Sequence, residues 1–202
     1  MGLLILAYWL RVLQMVARTR ATVGRAANLI PPERLGRVVR IVWGPVVVLW
    51  VMGPLATPFL VNPPSFIRPL HALYANPLVG WIAFGVAAGA FAATWACWQK
   101  MGRSWRMGID PNERTQLVFN GPYACVRHPI YALSSLLMVA TAAVVPSPMV
   151  MLFAVLHLAL LQWEARREER HLSALHGPAY ANYIARVGRF FPRSFKSRAS
   201  VS

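Results

Sequence analysis

Gly121-Pro122-Tyr123-Ala124-Cys125-Val126-Arg127-His128-Pro129-Ile130-Tyr131 joins a polar, basic segment to a long apolar one. Pro129 disfavours helical backbone at His128 and suits the first turn of a helix. The stretch therefore predicts a helix that begins at Pro129, with His128 at its mouth. Orphan N–H groups and the positive dipole end then sit beside Arg127 and His128. Such a mouth attracts an anionic group, for example a carboxylate. The plainer reading is a charged cap where an apolar helix leaves the headgroup region. On the tripeptide Arg127-His128-Pro129 alone, that plainer reading is preferred.

Downstream, residues 130–145 and 149–163 are apolar and separated by Pro146-Ser147-Pro148, a tight helical hairpin. Its 16-residue first arm rises about 24 Å, against roughly 30 Å of hydrocarbon. The second arm is expected to continue past 163 as a charged helix. Upstream, residues 77–98 make the cleanest span. Gly85 and Gly89 stand four apart with Ala88 and Ala92 beside them, a spacing that lets helix backbones approach. Residues 41–61 form another apolar run, which Pro45, Pro54 and Pro58 are expected to kink. Residues 2–17 are apolar but short and carry Arg11 and Gln14. They either span weakly or lie in the interface as an amphipathic helix. Pro31-Pro32 breaks the basic segment 18–40, and 62–76 is a Pro-rich loop whose only firm positive charge is Arg68.

The chain of 202 residues is 57% hydrophobic and 13% charged. These runs predict an all-α, multi-spanning integral membrane protein of about five transmembrane helices, with a C-terminal helical hairpin and a cytosolic tail. A soluble domain is excluded. The net charge of +15 does not call for nucleic acid, because the charges lie between apolar runs. There they act as topology signals and contacts to membrane lipids. Cys97 falls in an apolar run and Cys125 in a polar loop, so neither a disulfide nor a zinc spacing is expected. Arg18, Arg20 and Arg25 follow the first apolar run in place of a secretory cleavage pattern.

Of 21 Lys and Arg, six lie in 18–40, five in 99–129 and eight in 164–202. With alternating sides, these 19 share one face, which should be cytoplasmic. That gives five spans with the N-terminus outside, or four if the first run stays on the surface. The protein is then a multi-pass protein of a bacterial inner membrane or the endoplasmic reticulum. The loop 99–129 is long enough at 31 residues to be functional.

The same face carries a second charged stretch, Glu164-Ala165-Arg166-Arg167-Glu168-Glu169-Arg170-His171. On a continuing helix, His157, Glu164, Glu168 and His171 share a face, at steps of seven, four and three. Acids just inside a membrane are costly unless paired or functional. A solvated helix end with Glu164–Arg167 and Arg166–Glu169 pairs explains them equally well. His157, within an apolar run, reads as a satisfied interior histidine. His171 and His176 are five apart, a poor spacing for one face, so no metal site is expected.

Gly-Pro-Tyr-x-x-x-Arg-His-Pro-x-Tyr at 121–131 is followed by Glu-Glu-x-x-Leu-x-x-x-x-Gly-x-x-Tyr-x-x-Tyr at 168–183, and Arg189-Phe190-Phe191-Pro192 closes the pattern. This ordered set resembles the isoprenylcysteine carboxyl methyltransferase family and the related membrane phospholipid methyltransferases. Segment 102–110, with Ser104-Trp105-Arg106, resembles bacterial members. The match covers about the last hundred residues. It implies S-adenosylmethionine bound on the cytosolic side, with Arg127, His128, Pro129, Tyr131, Glu168 and Glu169 around it. It also implies a lipophilic or lipid-modified acceptor entering from the bilayer. Beside the resemblance, Glu164, Glu168 and Arg167 are the candidate catalytic residues, and Glu164, Glu168 and His128 are the nearest groups that could accept a proton. No protein partner is called for. The chain then reads as one methyltransferase domain over 1–202, with N-terminal spans in 1–98 and a cofactor-binding core in 99–202. Leu133 departs from the family, which often has Gly there, and bears on the pocket's shape. The rival readings are a membrane reductase using NADPH, since such reductases share a similar hairpin, and a non-catalytic scaffold.

Methyl transfer from a sulfonium needs alignment and exclusion of water, and no metal. A carboxylate acceptor needs no base, whereas a phenol, thiol or amine benefits from one. The 19-to-1 loop charge bias makes a topological prediction. A reporter fused to the C-terminus should be active in its cytosolic form; an active exported form overturns the orientation.

Overall fold

The computed structural model describes residues 1–23, 33–56, 76–102, 105, 117–145 and 147–193. Arg25, Pro31-Pro32, Pro58, Arg68, Ser104, Arg106 and Pro146 lie outside them, as do residues 194–202. Seven helices make up the described chain: α1 (Gly2–Val23), α2 (Arg34–Ala56), α3 (Pro77–Met101), α4 (Pro122–Cys125), α5 (Pro129–Val144), α6 (Pro148–His176) and α7 (Pro178–Arg186). Four of these, α1, α2, α3 and α6, are long and apolar enough to cross a membrane; α5 is the shorter apolar helix between them. The all-α membrane architecture read from hydropathy is what forms.

The helices extend further than the apolar runs do. At 22 residues, α1 rises about 33 Å and carries Arg18 and Arg20 on its last turns. Its buried residues Ile5, Tyr8, Val12, Val16 and Thr19 follow helical spacing. That stripe packs into the core with α2 and α3 rather than lying on a surface. Helix α2 likewise begins at Arg34, inside the basic segment, and continues through Pro45 and Pro54. Trp43, Val46 and Trp50 form its buried stripe.

Caps set the other boundaries. Asn76 accepts from the Leu78 N–H at 3.0 Å ahead of Pro77. Ser147 does the same for Val150 at 3.1 Å ahead of Pro148. His128 is the N-cap residue of α5 and Pro129 its first residue, as the X-Pro reading requires. Its side chain makes no cap hydrogen bond, leaving the imidazole for other partners.

Helices α3 and α5 form the most extensive pair. Gly85 and Gly89 play no part in this packing: both are exposed, and a Cβ built on either meets nothing within 4 Å. The small-residue seam is one stripe over, at Ala83, Ala87, Ala90 and Thr94. Spacing alone identifies a small-residue stripe, but the face it turns is chosen by the partner helix. Here alanines provide the close approach that glycines were expected to supply.

Polar pairs lock the middle of the bundle. Trp50 Nε1 donates to Thr141 Oγ1 at 2.9 Å, joining α2 to α5. Trp43 Nε1 donates to His157 Nδ1 at 3.1 Å, and His157 Nε2 lies 3.1 Å from Ser134 Oγ. His157 is fully buried and satisfied at both nitrogens, as its place in an apolar run suggested. Such bonds average roughly 0.6 kcal/mol each in a membrane protein. Their main effect is to fix helix register.

The seam makes a prediction. Ala87→Leu should overpack it and cost about 1–3 kcal/mol. Gly85→Leu should leave the melting temperature in detergent unchanged or higher. Equal losses in both variants would contradict the seam.

Candidate active site

The charged extension of α6 turns its neighbouring acids to different faces. Successive helix residues differ by about 100°, so Glu168 and Glu169 cannot serve one site in the same way. Glu169 is buried and points to the chain after α7. Its Oε1 accepts from Arg127 Nε at 3.0 Å, Arg127 Nη2 at 2.8 Å and Arg189 Nε at 3.0 Å. Its Oε2 accepts from Arg189 Nη2 at 2.6 Å, and His128 Nε2 lies 3.3 Å from Oε1. Hydrogen bonding to Glu169 raises the pKa of Arg189 further above its ordinary value.

This ion cluster is backed by main-chain pairing. Val126 and Gly188 form an isolated parallel bridge. The Arg127 N–H donates to the Gly188 carbonyl at 2.8 Å, and the His128 N–H to that of Arg189 at 3.0 Å. The remaining face of the Arg127 guanidinium bonds the carbonyls of Ile184 and Val187. Residues 187–189 thus strap the entrance of α5. A Cβ on Gly188 would sit 1.9 Å from the Phe191 carbonyl, so the turn closes only with glycine there.

The later motif residues carry this strap. Gly177, at φ +50°, ends α6 and lets α7 fold back. Tyr180, Tyr183 and Val187 bury together against Leu172. The Tyr183 hydroxyl donates to the Tyr123 carbonyl at 2.5 Å, tying α7 to α4. Burial pushes the Tyr183 phenol up to about 12 and holds those of Tyr123 and Tyr180 far above the ordinary range. All three remain protonated at neutral pH.

Glu168 faces the other way, into a cavity of about 120 Å³. Tyr131 donates to its Oε2 at 3.1 Å, and His128 Nδ1 lies 3.5 Å from the same oxygen. The His128 and Tyr131 rings stack, with centroids 5.3 Å apart and planes within 3°. Glu164, one turn earlier, also lines the cavity and accepts from Arg167 Nη2 at 3.0 Å. Arg167 bridges onward to Glu33, just ahead of α2.

Of the residues singled out from sequence, Arg127, His128, Pro129, Tyr131, Glu164 and Glu168 line this one cavity. Glu169 and Arg167 stand behind it, each holding a residue that lines it. Leu133 is half-buried and lies off the cavity wall. The remaining wall was not assigned from sequence: Tyr8, Trp9 and Val12 from α1, Arg40 and Trp43 from α2, Trp98 and Met101 from α3, and Ile130, Ser134 and Leu161, together with Trp105 and Tyr123, which were noted only as motif residues. Tryptophans near the ends of apolar runs were the available signal. No spacing rule, however, places residue 8 beside residue 164. Among the described residues, no three His, Cys, Asp or Glu side chains are grouped to hold a metal ion.

The cavity suits a zwitterionic, partly cationic guest. The carboxylates of Glu164 and Glu168 attract positive charge, and Trp43, Trp98 and Trp105 line the same wall. Arg40 supplies the complementary cation for a carboxylate.

The family model for phospholipid methyltransferase matches residues 78–179. Two curated relatives are each 33% identical over 94 residues. They are the nickel-cobalt-cadmium resistance protein NccN of Alcaligenes xylosoxydans xylosoxydans and the cobalt-zinc-cadmium resistance protein CzcN of Cupriavidus metallidurans. The match covers 46% of this chain and 44% of each relative, so less than half of their length is spanned. Among solved structures, the eukaryotic intramembrane Ras methyltransferase, isoprenylcysteine carboxyl methyltransferase, shares the fold. The TM-score is 0.52 at 17% identity, covering 78% of this chain and 64% of that one.

The two acids separate by stability. Glu169→Gln leaves two arginines sharing a neutral amide and should cost about 3 kcal/mol. The expected readout is a lower melting temperature together with faster tryptic cleavage near Arg189. Glu168→Gln should change neither appreciably. Equal melting of the two variants would overturn the division between strap and cavity.

Proposed function

Since this chain belongs to the phospholipid methyltransferase family, we propose that it is a membrane methyltransferase that uses S-adenosylmethionine and methylates a lipophilic acceptor. The observation that supports this most is the convergence of Arg127, His128, Pro129, Tyr131, Glu164 and Glu168 on one aromatic-walled cavity. These residues come from motifs more than thirty positions apart, and a purely solvated helix end gives no reason for them to meet.

His128, Tyr131 and Glu168 are the residues proposed to touch the cofactor. The Glu168 carboxylate keeps acceptor capacity beyond the Tyr131 bond, which suits hydroxyl or ammonium donors. Arg40 and the positive end of α5 suit a carboxylate. Arg127, Pro129 and Glu169 shape the mouth and hold His128 in place. When bound, S-adenosylmethionine supplies an electrophilic methyl group on a sulfonium. Glu164 and Glu168 attract positive charge while the tryptophans exclude water, so donor and acceptor can align in a dry site. Arg167 holds Glu164 at the cavity edge. Where the acceptor carries a proton, Glu164 or Glu168 receives it; a carboxylate acceptor needs neither. The cofactor enters from the cytoplasmic side, the side assigned to most of the Lys and Arg.

Calorimetric titration of detergent-purified protein tests the reading. S-adenosylmethionine should bind and NADPH should not. His128→Ala and Glu168→Gln should each weaken binding about tenfold to hundredfold with the melting temperature nearly unchanged. Binding of NADPH alone would favour a reductase. A His128→Ala variant that melts early but binds normally would make the mouth of α5 a structural cap.

A further inference from the structure

The seam between α1 and α3 carries a charge that the cavity does not use. Arg11 stands midway along the apolar helix α1, about 10 Å along the helix from Arg18. Charged side chains at such a depth are rare and mark functional positions. The acids among the described residues are engaged elsewhere: Glu33 and Glu164 with Arg167, Glu168 with Tyr131 and His128, Glu169 with Arg127 and Arg189. Arg11 instead holds its guanidinium carbon 4.1 Å from the centre of the Trp95 ring on α3. Its one side-chain hydrogen bond among the described residues runs from Nη1 to Gln14 Oε1, long at 3.3 Å. A guanidinium against an aromatic ring keeps N–H donors in its own plane, and these take an oxyanion bidentately.

The pair lies at the height of the cavity. Arg11 falls between Trp9 and Val12, which line the cavity, and Trp95 lies one turn before Trp98, which lines it too. Helices α1 and α3 meet far less extensively than α3 and α5 do. Rings fill the seam from the pair inward. Phe91 lies 6.3 Å from Trp95 and 5.7 Å from Tyr8, and Tyr8 lies 5.3 Å from Trp98. Leu10, Leu13 and Trp95 are exposed around Arg11, and on membrane-spanning helices that surface meets lipid chains. A guanidinium with no carboxylate partner is costly there, so an anionic head that reaches it is favoured.

We infer that the Arg11–Trp95 pair is a docking site for the anionic head of a single-chain amphiphile, at a lateral entrance to the cavity between α1 and α3. That this amphiphile is a methyl acceptor rests on the proposed function; the docking site itself does not.

The test titrates detergent-purified protein with dibromostearate and with its uncharged methyl ester, following quenching of tryptophan fluorescence. At alkaline pH the acid is ionised and arginine keeps its charge. The acid should bind about tenfold more tightly than the ester, the scale of a hydrogen bond to a charged group. Arg11→Gln should abolish that preference and leave the ester's affinity unchanged. Trp95→Leu, at an exposed ring, should reduce the preference and decides the question if Arg11→Gln does not fold. Arg20→Gln, which removes an equal charge near the end of α1, should keep it. No preference in the unsubstituted protein, a preference that survives Arg11→Gln, or an equal loss in Arg20→Gln overturns the inference. Parallel titration with S-adenosylmethionine separates the two claims. Normal cofactor binding without the preference sinks the docking site alone. The preference without cofactor binding sinks the methyltransferase reading and leaves the docking site standing.

Discussion

The Glu169 carboxylate, held between Arg127 and Arg189 with His128 at its edge, joins three parts of the chain that are far apart in sequence. Arg127 belongs to the entrance of α5, Glu169 to the extension of α6 and Arg189 to the strap beyond α7. Arg189 bonds both carboxylate oxygens, and Arg127 adds two further donors to Oε1, so the desolvation cost of the buried carboxylate is offset. The consequence is positional. His128 is fixed at the mouth of α5 by its backbone bond to Arg189 and by Pro129 behind it. Only then can its ring stack on Tyr131 and face Glu168.

The cavity needs the other half of the chain as well. Helix α6 is the common wall, since its apolar half contributes Leu161 while its charged half contributes Glu164 and Glu168. Helices α1 and α2 close the site with aromatic and basic side chains, and the bridge from Arg167 to Glu33 ties the start of α2 to the charged half of α6. Glu164, Glu168 and Arg40 bring charge to the wall, and Leu161, Trp43 and Ser134 line the same cavity.

Local sequence made most of the architecture legible. Apolar runs set the helices, Pro129 and Pro148 set two of their starts, and the motif residues around 128 and 168, expected together, line one cavity. The runs understated the helices, because a charged helix end continues its backbone hydrogen bonding into the polar region where hydropathy no longer signals it. The Gly85–Gly89 stripe shows the opposite limit. A spacing rule marks a surface able to pack, but only the neighbouring helix determines which stripe does so, and here Ala83, Ala87 and Ala90 were chosen.

What the sequence alone determined is whatever depends on short-range chemistry: membrane character, the entrance of α5, the charge asymmetry and the candidate acids. Tertiary structure decided the division of labour between Glu168 and Glu169, which are adjacent in sequence and separated by a turn of 100° about the helix axis. It also brought in Tyr8, Arg40, Trp43 and Ser134, whose separations in the chain carry no periodic signal. The tautomer of His157 was settled there too, because it depends on which donor reaches the ring. That donor, Trp43, lies 114 residues away and meets His157 only once α2 and α6 have packed.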